Sequence, residues 1–102
     1  MTNNRRSAYR REVSLSARLI LGEETHEVIM ENLSLGGAQL AFGQRLTMGQ
    51  TVQILFHIPV REEPIDVRAT VRWSNRQSVG VHFEGLGPAE VWALNKFFES
   101  LQ

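Results

Sequence analysis

Arg5, Arg6, Arg10 and Arg11 place four guanidinium groups within the first eleven residues, and the polar turn Asn32-Leu33-Ser34-Leu35-Gly36-Gly37 follows further along. A guanidinium is a flat fork of donors. It grips phosphate oxygens or a guanine edge in bidentate fashion, and its plane stacks on a base. Asn and Ser carry compact hydrogen-bonding groups, and paired glycines let a ligand approach the backbone where a Cβ would forbid it. Together these residues suit a planar, polar, anionic ligand. Asn32 lies 22 positions after Arg10. That is one hairpin's length, so a hairpin between them brings the arginine segment back beside the turn.

Each piece also has a plainer reading. A basic terminus can serve as a solubilising tail. The turn can bond only to itself, with Asn and Ser capping nearby backbone groups and Gly36 or Gly37 taking a positive φ. It is the conjunction of the two pieces that favours a ligand site. Of the eleven basic residues only Lys96 is lysine, which also favours recognition by forks over diffuse charge.

Enzymatic chemistry finds little here. His26, His57 and His82 fall in separate segments without ligand spacing. No Ser-His-acid set, Walker loop or close acidic pair is present. The pairs Glu23-Glu24 and Glu62-Glu63 sit in turns as solvated charge. Asn32-Leu33-Ser34 matches a glycosylation acceptor, but a tripeptide that loose occurs by chance. The expectation is a binding module with no catalytic residue, metal or cofactor.

Composition narrows the class further. A chain of 102 residues is one domain and can bury a modest core. With no cysteine, disulfides and thiolate metal ligands are excluded, as suits a reducing cytoplasm. No signal peptide or membrane-spanning run is apparent. The formal net charge is zero, which argues against binding DNA or RNA by bulk attraction.

The elements that must position these residues are mostly strands. From Val13 the pattern has period two, with Val13, Leu15, Ala17, Leu19 and Leu21 on one face and Ile20 as an exception on the other. Residues 22–25 read as a hairpin connection, with Val28 and Met30 inward on the return strand. Ala38, Leu40 and Phe42 alternate after the motif turn, as do Val52, Ile54, Phe56 and Ile58. Ile65, Val67, Ala69, Val71 and Trp73 form the most regular face. Val79, Val81 and Phe83 form a short last strand. Pro88 then opens an amphipathic helix whose stripe comprises Val91, Leu94, Phe98 and Leu101, widened by Trp92 and Phe97. Six strands with short connections and one terminal helix predict an all-β, six-stranded antiparallel β-barrel with a C-terminal amphipathic α-helix. The expected layout is an arm over residues 1–12 that is mobile until ligand orders it, a barrel over 13–86 and a helix over 87–102.

RxxxR (Arg6, Arg10) followed by NxSxxG (Asn32, Ser34, Gly37) resembles the signature of the PilZ domain family, bacterial receptors for the second messenger cyclic di-GMP. The family's six-stranded barrel with a following helix matches the pattern above. Arg72-Trp73, a turn, and Gly80-Val81-His82-Phe83 resemble its closing strands. The resemblance implies that Arg6 and Arg10 grip guanine edges and phosphates and that Asn32 and Ser34 bond a guanine edge or sugar-phosphate groups. It implies that Gly37 gives the ligand room. Asn32 stands where many members carry Asp. An arginine before RxxxR, here Arg5, implies two mutually stacked ligand molecules per chain. Trp73 has two possible roles, as core or as an indole at the barrel rim stacking on guanine.

The resulting reading is a cyclic di-GMP receptor that passes its signal to an unidentified protein partner, in motility or biofilm regulation. Within the family, the rival is an adaptor that binds ligand poorly. From another class, the rival is a β-barrel binder of single-stranded nucleic acid, which would expose aromatics on one sheet face along a basic groove.

Overall fold

In a computed structural model, which describes residues 10–101, six strands close into an antiparallel barrel. They are β1 (Arg11–Leu21), β2 (Glu24–Leu33), β3 (Gly37–Ala41), β4 (Thr51–Phe56), β5 (Ile65–Ser74) and β6 (Ser78–Glu84), followed by the helix α1 (Pro88–Ser100). The order around the barrel is β1-β2-β3-β6-β5-β4, with β4 pairing back onto β1. Arg5, Arg6 and most of the expected arm lie outside the described residues. β1 begins at Arg11, two positions before the alternation that Val13 opens.

Alternation drives closure. Inward residues such as Leu19, Met30, Leu40, Ile54, Ile65, Val71 and Val79 are fully buried, while outward neighbours such as Arg18, Gln53, Asp66 and Arg68 are exposed. Gly22 and Glu23 connect β1 to β2, and Gly22 alone takes a positive φ, +59°, the pattern of a type II′ hairpin turn. The turn between β5 and β6 is held by Asn75, whose Oδ1 accepts from the backbone N–H groups of Gln77 and Ser78 at 2.7 and 2.8 Å. Ile58 lies past the end of β4 and is still buried.

The helix buries Ala93, Leu94, Phe97 and Phe98 in the same core. Trp92 and Leu101, expected on the apolar stripe, are 59% and 40% exposed. Trp92 instead lies under Lys96, whose Nζ is 5.7 Å from the ring centroid. The stripe is narrower than the residue types suggested because the helix touches the barrel along one line only. Arg11 ties the start of β1 to this helix, donating to the Phe98 carbonyl at 3.3 Å with its guanidinium 5.5 Å from the Phe98 ring.

Three register shifts interrupt the ladder, between Glu12 and Leu15, Met30 and Asn32, and Val71 and Trp73. A bulge inserts one residue and turns neighbouring side chains onto one face. Each of the three lies beside a residue singled out for chemistry.

Candidate ligand-binding site

A cleft of about 550 Å³ is lined by Arg10, Ser34, Gly36, Gly37, Arg72, Trp73, Gly80, Val81 and His82. Four of the predicted residues thus meet at one place, Arg10 from just before β1, Ser34 from the turn before β3, Gly37 from the first position of β3, and Trp73 from β5. Asn32 is not on the cleft wall. It reaches the cleft through Arg10, whose NH1 donates to Asn32 Oδ1 at 2.6 Å. The hairpin does return the arginine to the turn, since Glu12 pairs with Asn32 and Arg11 with Leu33.

Ser34 is buried, 3% exposed, and is the one buried polar residue among the described residues. Its Oγ accepts from the N–H groups of Gly36 and Gly37, both at 3.1 Å, and sits 3.4 Å from the Gly37 carbonyl oxygen. The Ser34 N–H donates to that same carbonyl at 2.8 Å. The hydroxyl therefore shapes the rim from beneath. Ser34 thus caps the turn's own backbone, as the self-bonded reading expected, but neither Gly36 nor Gly37 takes the positive φ that reading also called for. The reason for glycine at 37 is packing, since a Cβ there would drive into the Val81 carbonyl of β6. The Gly36 carbonyl accepts from the Phe83 N–H at 2.8 Å, which fastens the turn to β6.

Trp73 is not on the core face of β5. The bulge pairs Val71 with Val81 but Trp73 with Gly80, so Arg72 and Trp73 both turn outward, and Trp73 is 37% exposed. Strict alternation would have put it inside. A bulge has no signature in residue type alone, and that is why period-two reading misplaced it. The indole lies against Gly80, where a Cβ would overlap its five-membered ring.

Sequence reasoning noted Arg72, Gly80 and His82 only as part of the closing strands and did not place them at the site. Arg72 was visible as the neighbour of Trp73, and Gly80 as a glycine inside an apolar strand, a mark of close approach. His82 stood in the closing-strand motif, but apart from its outward phase nothing assigned it to a ligand. Arg10, Arg72 and His82 set cationic or titratable donors around an aromatic ring, over a floor of glycine backbone. Such a surface can stack a base and neutralise phosphate. Among the described residues no group of His, Asp and Glu could hold a metal ion. Among the described residues no helix is long and apolar enough to cross a membrane.

The PilZ domain profile matches residues 4–100. No curated protein sequence is significantly similar to the chain. Solved structures of several proteins are similar in fold. They include the inhibitor of motility MotI/DgrA of Bacillus subtilis, at 17% identity and a TM-score of 0.75, covering 90% of this chain and 48% of that one. The PilZ domain of CeSA from a cellulose-synthesizing bacterium has 14% identity and a TM-score of 0.73, covering 92% and 99%. The Borreliella burgdorferi PlzA protein, solved in complex with c-di-GMP, has 16% identity and a TM-score of 0.72, covering 93% and 41%. The chain spans about half the length of the Bacillus protein and less of the Borreliella one.

Proposed function

The chain belongs to the PilZ domain family, and on that premise we propose that it is a non-catalytic receptor for cyclic di-GMP whose binding site is the cleft between Arg10 and Trp73. The observation that carries this reading is the convergence of Arg10, Trp73 and the glycine-floored turn on one cleft. Cyclic di-GMP offers two phosphates and two guanines. Arg10 and Arg72 suit the phosphates or guanine edges, and the exposed Trp73 ring suits a guanine face. Arg5 and Arg6 complete the basic set, and Arg5 supports binding of two stacked ligand molecules per chain. Binding orders the arm and changes the surface offered to a protein partner. Arg11 lies next to Arg10 and contacts the Phe98 carbonyl of α1, which supports the helix as the route of that change. The single-stranded nucleic-acid reading is disfavoured because, among the described residues, Trp73 and His82 supply the only rings on the cleft wall, short of a row of stacking platforms.

Calorimetric titration of cyclic di-GMP, with linear GpG and GTP as controls, tests the proposal. Arg6→Ala and Arg10→Ala are each expected to weaken binding by about 1.5–3 kcal/mol, the loss of one charge-assisted pair. Arg68→Ala and Arg76→Ala, away from the cleft, are expected to be nearly silent. A folded protein that shows no binding at high micromolar ligand would instead favour the adaptor role.

A further inference from the structure

Behind Arg10 runs a chain of side-chain hydrogen bonds that the sequence reading did not connect. Asn32 Nδ2 donates to Gln39 Oε1 at 3.0 Å, and Gln39 Nε2 donates to Glu31 Oε1 at 3.0 Å. Ser78 closes a longer side path, with Gln39 Nε2 3.5 Å from its Oγ and that Oγ 3.4 Å from Glu31 Oε1. The bulge between Met30 and Asn32 makes this possible. It sets Asn32 opposite Gln39 and turns the consecutive side chains of Glu31 and Asn32 toward the same neighbour.

The two ends of the chain are chemically unambiguous. A guanidinium only donates, and an ionised carboxylate only accepts. Between them stand two amides, each with one donating and one accepting end. Glu31 must receive the Gln39 amide nitrogen, so Gln39 must turn its oxygen to Asn32, and Asn32 must turn its oxygen to Arg10. Flipping either amide would set like atoms face to face at both of its ends. The order of donors and acceptors is therefore fixed from outside the cleft.

We infer that Gln39, anchored by Glu31, is a positioning residue for the ligand site. It holds the Asn32 carbonyl oxygen toward Arg10, and so holds the Arg10 guanidinium at the cleft with a neutral partner that leaves its charge available to phosphate. This rests on the proposed function, since it states how that same site is prepared for an anionic ligand. Groups behind a contact residue that fix its orientation commonly carry this role.

The test combines calorimetry of cyclic di-GMP with side-chain amide NMR of the free protein. Gln39→Leu breaks the chain and is expected to weaken binding about three- to tenfold, the net worth of one well-oriented hydrogen bond. Glu31→Leu removes a negative charge near an anionic ligand, so general electrostatics calls for tighter binding, whereas loss of the anchor calls for weaker. The exchange of Glu31→Gln with Gln39→Glu keeps the net charge and keeps an acceptor at position 39 for Asn32 Nδ2, with only the bond between 31 and 39 reversed, and is expected to restore binding to within about twofold of the native protein. Binding unchanged in Gln39→Leu, tightened in Glu31→Leu, or unrestored by the exchange would overturn the inference. If any variant fails to fold, the remaining ones decide. In the free protein, Glu31→Leu is expected to shift the Asn32 amide resonances although it does not bond Asn32 itself. Unmoved resonances would also overturn the inference. Lack of binding by the native protein would remove the receptor reading, and the resonances would still decide whether the chain orients Asn32.

Discussion

The five-membered ring of the Trp73 indole occupies the space beside Gly80 where a methyl group would stand. The bulge brings the two residues opposite each other across β5 and β6. Gly80→Ala therefore evicts the indole. The expected outcome is a red-shifted Trp73 emission in the free protein and weaker cyclic di-GMP binding, by roughly the 1–3 kcal/mol of one base-stacking contact. Fluorescence and calorimetry on the same variant check it. Native-like emission with native-like affinity would mean that the ring does not depend on Gly80 for its place.

The two tryptophans separate the cleft from the helix optically. Trp73 lines the cleft, and Trp92 sits on the outer side of α1 beside Lys96. Ligand is expected to change tryptophan emission, Trp73→Phe to abolish most of that change, and Trp92→Phe to keep it. A response that follows Trp92 would move the ligand to the helix surface.

Ser34 is buried with two backbone N–H groups on its hydroxyl. Ser34→Ala leaves both without that acceptor, so it is expected to destabilise the free protein by about 1–3 kcal/mol. Thermal unfolding without ligand checks this. An unchanged melting temperature together with lost affinity would show a hydroxyl that serves the ligand alone. Either result bears on the sequence reading, which gave Ser34 a place among the ligand contacts.

The barrel was legible because its strands alternate with few interruptions. Ile54, Val67 and Val79 are buried as their phase requires. What alternation could not carry is what the bulges do. The shift after Val71 turned Trp73 outward, and the one after Met30 set Glu31 and Asn32 side by side. Both depend on pairing between distant segments, which a local period does not encode. The Arg10–Asn32 contact was legible from spacing alone, because one hairpin separates them. Gln39 gave no warning, since an outward glutamine on a strand is usually a solvated side chain. Trp92 misled for a different reason. Its type fits an apolar stripe, but a short helix on a barrel has one buried line, and Ala93, Leu94, Phe97 and Phe98 fill it.

The last expectation concerns Arg5 and the N-terminal arm. A second stacked ligand adds phosphate charge and another guanine face, and an extra guanidinium can neutralise the first and cover the second. Two cyclic di-GMP molecules per chain are therefore expected, falling to one in Arg5→Ala. Calorimetric stoichiometry reads this directly, and a value of one in the native protein would assign Arg5 no such role. Arg10 already stands at the cleft, so ligand held there is expected to draw Arg5 and Arg6 toward the same phosphates. Fixing each backbone residue costs about 1–2 kcal/mol, so the bound arm must make several contacts at once. Hydrogen exchange is accordingly expected to slow across residues 1–11 and the turn at 32–37 when ligand saturates the protein. Equal exchange rates in the arm with and without ligand would rule out arm ordering as the signal while leaving binding itself intact, and the Arg11 contact to Phe98 would then have to carry the change to α1 from Arg10 alone.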